Sequence, residues 1–188
     1  MWSYYSPIDL SGYEVAKSNL LSILRRTTIP PIPAGNLARQ KDGTVRYVSQ
    51  RGDVIGTEGR TLNFGIGKIR HKGYGEFVTN KEHPELYKAL CEFASKALPE
   101  DFVWNTITLN HNVKAKKHID GLNVGDSYIV GIGDYTGGFL RVYENETDYI
   151  PMDLKDKPLK FNGALIAHET EEFSGERFTI IYYKQNKK

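Results

Sequence analysis

From about residue 102 onward the chain reads as a succession of β-rich runs, at 106–110, 127–132, 139–143, 163–168 and 178–183, carried by Ile, Leu, Val, Phe, Tyr and Thr. Turn chemistry separates them. Asn162-Gly163 is a strong hairpin signal, and Asp134-Tyr135-Thr136-Gly137-Gly138 is a second turn. Helical patterns come earlier. Ser11-Gly12-Tyr13-Glu14 has capping-box spacing, and Val15, Leu20, Leu21, Ile23 and Leu24 follow in helical rhythm to about Arg25. Pro84 suits a first helical turn, Leu86, Leu90, Phe93 and Ala97 form one apolar stripe, and Pro99 ends it. Helices first and strands afterwards predict an α+β fold, with the helices packed on one side of a β-sandwich or jelly roll.

Between the helical patterns, Ile29-Pro30-Pro31-Ile32-Pro33 cannot be helical and is expected to run extended over the surface. Residues 40–80 are rich in Gly and charge, with short alternating runs at 45–48 and 61–64 read as strands, and 35–75 is the expected substrate lid. The 188 residues fit one domain, in which 1–100 supports a catalytic β core at 101–188. Hydrophobic content of 39% and charged content of 26% are those of a soluble globular chain, and a net charge of +2 favours no partner class. A single cysteine, Cys91, excludes an internal disulfide, and its place on the second helix makes it a packing residue. No apolar run is long enough for a bilayer and the start lacks a signal-peptide pattern, so an intracellular protein is expected.

His118 and Asp120 are separated by one residue, so on an extended segment both side chains reach the same side and can share one metal. His-x-Asp by itself is a common tripeptide. The later His168, expected on a strand whose other inward residues are Ala164 and Ile166, gives it weight. Two imidazoles and one carboxylate hold non-haem Fe(II) on one face and leave the other open. Arg177, Thr179 and Ile181 share a face of the last strand, and an inward Arg is costly unless an anion meets it. That anion is read as a dicarboxylate co-substrate, with an ion pair to Glu171 or Glu176 as the structural alternative. His83 and His111 have no ligand spacing and are read as structural.

The order His118-x-Asp120, His168, Arg177-x-Thr179 resembles the Fe(II)/2-oxoglutarate oxygenase superfamily over roughly residues 102–184. The resemblance implies a double-stranded β-helix, with His118, Asp120 and His168 as iron ligands and Arg177 as partner of the distal carboxylate of 2-oxoglutarate. Fe(II), 2-oxoglutarate and O2 are the implied requirements. Thr179, and Asn110 at a strand end, are further expected co-substrate contacts. Presence of Asp120 points to hydroxylation, because related halogenases vacate that position for a halide.

Within the superfamily, His118-Ile119-Asp120-Gly121-Leu122-Asn123 is similar to the His-x-Asp-x-x-Asn segment of the TET/JBP nucleic-acid base oxygenases, and the run 177–185 is similar to that branch's last core strand. This implies that Asn123 touches an extruded pyrimidine. The chain lacks the long inserts and cysteine-rich zinc-binding region of animal TET enzymes and is closer to compact phage, viral and protist forms. Lys114, Lys116 and Lys117 precede the ligands, and Lys68, Arg70, His71 and Lys72 form a Gly-flanked basic loop, both suited to phosphates. Tyr74, Tyr135 and Phe139 offer stacking faces for a flipped base. The expected activity is hydroxylation of 5-methylcytosine in DNA. A prolyl or other side-chain hydroxylase, and a non-catalytic module that retains the metal, are the alternatives.

Overall fold

The computed structural model describes residues 2–31, 59–69 and 71–187, together with the backbone at 37–39, 45–49 and 52–55. A short strand β1 (Ser3–Tyr4) and helix α1 (Leu10–Arg25) lead to β2 (Leu37–Arg39), β3 (Val45–Ser49) and β4 (Gly52–Ile55). The hairpin β5 (Arg60–Ile69) and β6 (Gly73–Glu76) precedes α2 (Thr79–Glu82) and α3 (Pro84–Ala97). Then come β7 (Thr106–His111), β8 (Lys114–Ala115), β9 (Ser127–Ile132), β10 (Tyr135–Gly137) and β11 (Leu140–Tyr143). The chain closes with β12 (Tyr149–Met152), β13 (Leu159–Phe161), β14 (His168–Thr170), β15 (Phe173–Gly175) and β16 (Phe178–Tyr183).

A long antiparallel sheet runs β1-β13-β9-β16-β7-β5-β6, and smaller sheets run β12-β11-β14, β10-β15 and β2-β3-β4-β8. Strand alternation decides what each face of the long sheet meets. On β9 and β16, Tyr128, Val130, Ile132, Phe178, Ile180 and Tyr182 join Leu20, Leu24, Leu90 and Phe93 of the helices in one core. Their neighbours Ile129, Ile181 and Tyr183 point the other way and pack with Leu140, Val142 and Met152 of the smaller sheet. Both faces are covered, so every residue of β9 and β16 is buried. Each large apolar side chain so buried contributes about 1.5–3 kcal/mol relative to exposure.

Helix α1 starts one residue before Ser11, because the Asp9 side chain accepts from the Gly12 N–H at 2.9 Å and serves as its N-cap. Val15 lies on the outer side of this helix and is exposed, while Tyr13, Leu20, Ile23 and Leu24 are buried. Helix α3 follows the expected stripe, with Pro84 in its first turn and Leu86, Leu90, Phe93 and Ala97 buried. The stretch 163–168 departs from its expected strand. Residues 163–166 form a turn, pinned by the Leu165 and Ile166 N–H groups on the Asn162 carbonyl, and pairing begins only at His168. Likewise 135–137 is a strand paired to β15 within the expected turn. Ile29 of the proline-rich segment is buried, and Ile32, Pro33 and Arg70 lie outside the described residues. Among the described residues no helix is long and apolar enough to cross a membrane.

Candidate active site

His118 sits in an extended segment just past β8 and pairs backbone to backbone with His168 at the start of β14, N–H to carbonyl in both directions at 3.0 Å. Asp120 is two residues on, and its N–H donates to the Gly163 carbonyl at 2.8 Å. Ile119 between them is exposed and Asp120 is buried, as side-to-side alternation requires. The ligand atoms of His118, Asp120 and His168 all lie within 4.8 Å of one another. His118 Nε2 is 3.4 Å from Asp120 Oδ1 and His168 Nε2 is 3.3 Å from Oδ2. Charge-assisted hydrogen bonds are shorter, about 2.7–2.9 Å, so this spacing is not that of tight ion pairs.

The opposite ring nitrogens explain the arrangement. His118 Nδ1 lies 2.6 Å from the Lys116 carbonyl and His168 Nδ1 lies 2.9 Å from the Ile166 carbonyl. A carbonyl only accepts, so each Nδ1 donates to it, which fixes each ring with its Nε2 turned toward the carboxylate. Two imidazole nitrogens and one carboxylate within reach of a single ion form a donor set that fits Fe(II). Gly163 makes the close approach feasible. A Cβ there would stand 3.1 Å from Asp120 Oδ2 and 3.3 Å from His168 Cε1.

Arg177 immediately precedes β16 and is only 2% exposed. Its Nη2 donates to the Gly138 carbonyl at 2.8 Å, whereas its Nε has no acceptor among the described residues. Neither glutamate of the structural alternative reaches it, since Glu176 pairs with Arg25 and Glu171 with Arg141. Burial pushes the Arg177 pKa down, opposed by the nearby Tyr135 hydroxyl. Among the described residues no carboxylate pairs with this buried cation, which marks a site for an anionic group. Gly138 is required here: it adopts φ +67°, and a Cβ would come 2.6 Å from Arg177 Nε.

Tyr135 needs a correction. It was expected among the aromatics facing a flipped base, but it is 4% exposed and packs beside Arg177, with the guanidinium 5.6 Å from its ring centre. Buried on β10, it has no free face for a base. Burial raises its pKa to about 12, so it stays a neutral phenol able to donate.

A cavity of about 450 Å³ is lined by the cluster, by Arg177, Thr179 and Asn110, and by Asn123 and Gln185. Thr179 and Asn110 are register partners across β16 and β7, and Asn110 Oδ1 accepts from Thr61 Oγ1 at 2.9 Å. Asn123 is buried with its Nδ2 lacking an acceptor among the described residues, and its own N–H donates to the Asp120 carbonyl at 2.9 Å. Of the expected phosphate contacts, Lys116 is exposed. Lys117 is turned onto its own protein, 3.8 Å from the Tyr143 ring centre and 2.7 Å from the Glu146 carbonyl. Lys114 pairs with Glu172. Sequence reasoning missed Asn63, Thr108, Tyr183 and Gln185 as cavity residues. The signal for Thr108 was present in Thr106-Ile107-Thr108-Leu109-Asn110, where polar residues alternate with apolar ones that face the helices.

No protein-family model matches the sequence, and no curated protein does either. Solved structures do match in fold. NgTET1 in complex with 5mC DNA superposes with a TM-score of 0.57 at 12% identity, over 98% of this chain and 72% of that one. A Trichoplax adhaerens prolyl hydroxylase bound to a hypoxia inducible factor peptide fragment gives 0.51 at 12% identity, over 97% of this chain and 82% of that one. OsALKBH1 gives 0.50 at 12% identity, over 98% and 100%. This chain therefore has the double-stranded β-helix fold of the 2-oxoglutarate/Fe(II) oxygenases, with a His-Asp-His cluster inside it.

Proposed function

We propose that this protein is an Fe(II)- and 2-oxoglutarate-dependent dioxygenase that hydroxylates the methyl group of a 5-methylpyrimidine in DNA, converting 5-methylcytosine to 5-hydroxymethylcytosine. The observation that carries the oxygenase reading is the presence of a metal-ligand set and a buried guanidinium in one cavity. The ligand atoms of His118, Asp120 and His168 lie within 4.8 Å of one another, and among the described residues no carboxylate pairs with Arg177. When bound, Fe(II) with 2-oxoglutarate supplies oxygen activation, and overall the methyl group, O2 and 2-oxoglutarate give the hydroxymethyl group, succinate and carbon dioxide.

The chain's own residues would then act as follows. His118, Asp120 and His168 hold the metal, with their rings oriented by the Lys116 and Ile166 carbonyls. Arg177 binds the far carboxylate of the co-substrate through its Nε, helped by the neutral Tyr135 hydroxyl beside it and by Thr179 and Asn110, which line the same cavity. Ile129, Leu140 and Phe161 line the interior and keep it dry, which strengthens each of these contacts.

For the nucleic-acid substrate, support comes from Asn123 with its buried unpaired amide, from Lys68 and Lys72 on the β5–β6 hairpin, and from exposed Lys116. The fold likeness to a protein that binds 5mC DNA agrees with it. Reaching a base in a duplex requires flipping it, at about a few kcal/mol. The test is purified protein with Fe(II), 2-oxoglutarate and DNA carrying 5-methylcytosine, digested and read by nucleoside mass spectrometry. A 5-hydroxymethylcytosine peak that depends on 2-oxoglutarate is expected. Succinate formed only on addition of a peptide would instead establish a protein hydroxylase, and methyl-dependent DNA binding without turnover a binding module.

A further inference from the structure

Gln185 lies just past the end of β16 and is 8% exposed, inside the same cavity. Its backbone is held at both groups: the N–H donates to Asn105 Oδ1 at 3.0 Å, and the carbonyl accepts from Asn105 Nδ2 at 2.8 Å. The side chain is held at one end only. Its Oε1 accepts from the Lys68 N–H at 2.9 Å, and a backbone N–H can only donate, so the oxygen of the amide is committed to the β5–β6 hairpin. Gly67 permits this, since a Cβ there would come 2.9 Å from Oε1. The Nε2 group, with no acceptor among the described residues, remains for whatever enters the cavity. Asn123 lines the same cavity. The Val124 N–H donates to the Lys184 carbonyl at 2.8 Å, which ties the chain next to 123 to the chain next to 185, and Asn123 Nδ2 is also without an acceptor among the described residues.

We infer that Gln185 is a specificity-determining residue that, with Asn123, presents two amide donors to the substrate and selects a heterocycle edge bearing adjacent acceptors. This rests on the methylpyrimidine reading above and sharpens it. An unprotonated ring nitrogen beside a carbonyl oxygen, the N3/O2 edge of 5-methylcytosine, satisfies both donors. Thymine carries a proton on N3 and leaves one donor facing another. A site built of such donors rejects the mismatched ring because a buried polar group would be left unpaired.

The test compares the full-length protein with Gln185→Glu and Gln185→Leu, loaded with Fe(II) and 2-oxoglutarate. Oligonucleotides carry 5-methylcytosine, its 3-deaza analogue or thymine at one position. A carboxylate at 185 still accepts from the Lys68 N–H but has no donor, so Gln185→Glu is expected to keep the fold by circular dichroism. Its kcat/KM on 5-methylcytosine should fall by about tenfold or more through KM, with little further loss on the 3-deaza analogue. Gln185→Leu should lose both recognition and thermal stability. Turnover of 5-methylcytosine by Gln185→Glu within about twofold of wild type overturns the inference and leaves the proposed activity standing. Wild-type preference for thymine overturns the donor-pair assignment in the same way. Succinate formation by wild type without any oxidised pyrimidine overturns the proposed substrate, and the inference with it.

Discussion

At the residue scale, the site is defined by side chains whose partners are chosen for them by the backbone. Each imidazole spends Nδ1 on a carbonyl two residues before it, so its Nε2 is turned toward Asp120, where the three groups can share one ion. Replacing Asp120 by Ala, or His168 by Ala, is therefore expected to lower iron affinity by at least about 100-fold with the fold intact. Iron content after desalting, beside a circular dichroism spectrum, checks it, and full iron retention would remove these residues from the metal site. Arg177 follows the same logic for an anion. Arg177→Lys keeps the charge but loses the planar fork, and KM for 2-oxoglutarate should rise about 10–100-fold with a smaller change in kcat. Tyr135→Phe should raise it about fivefold. Tyr135 is held up at about 12, so its hydroxyl keeps its proton well above neutrality, and the wild-type KM should show no Tyr135-dependent rise below about pH 10. A break near pH 8 absent from Tyr135→Phe would contradict that burial.

At the element scale, the boundaries follow local chemistry that a spacing rule only approximates. Both Asp9 and Ser11 are acceptable N-caps by type, and the chain uses Asp9 because its carboxylate reaches the Gly12 N–H. Asp9→Ala should cost about 1 kcal/mol of stability in urea titrations and Ser11→Ala about zero; equal effects would return the cap to Ser11. Strands were legible where both faces are covered or where polar and apolar residues alternate. The runs at 127–132 and 178–183 became β9 and β16 with the same limits. Gly163-Ala164-Leu165-Ile166-Ala167 was not legible in this way. Its apolar composition suits a strand, but Asn162 gathers two N–H groups on its carbonyl and winds the segment into a turn, which leaves Leu165 77% exposed. That turn brings Gly163 against Asp120 and His168, so the local misfit with composition serves the metal site.

At the scale of the whole molecule, the cluster joins segments far apart in sequence, and metal binding should be felt as global stability. A ligand at about 100 times its Kd adds about 2.7 kcal/mol, which for a chain of this size is a rise in Tm of about 5–10 °C. Fe(II) under anaerobic conditions should produce that shift in wild type and none in Asp120→Ala; an equal shift in both would place the metal elsewhere. The amino-acid sequence alone determined the helical stripes, the alternation of β7, β9 and β16, and the types and spacing of His118, Asp120, His168 and Arg177. These are local properties: periodicity and side-chain chemistry travel with the residues that carry them. Only the tertiary structure decided that Glu171 and Glu176 pair with other arginines, that Tyr135 belongs to Arg177, and that Gln185 enters the cavity with its oxygen already taken. Each of those depends on which groups compete for one partner across distant segments, and that competition is resolved only when the sheets close around a shared interior.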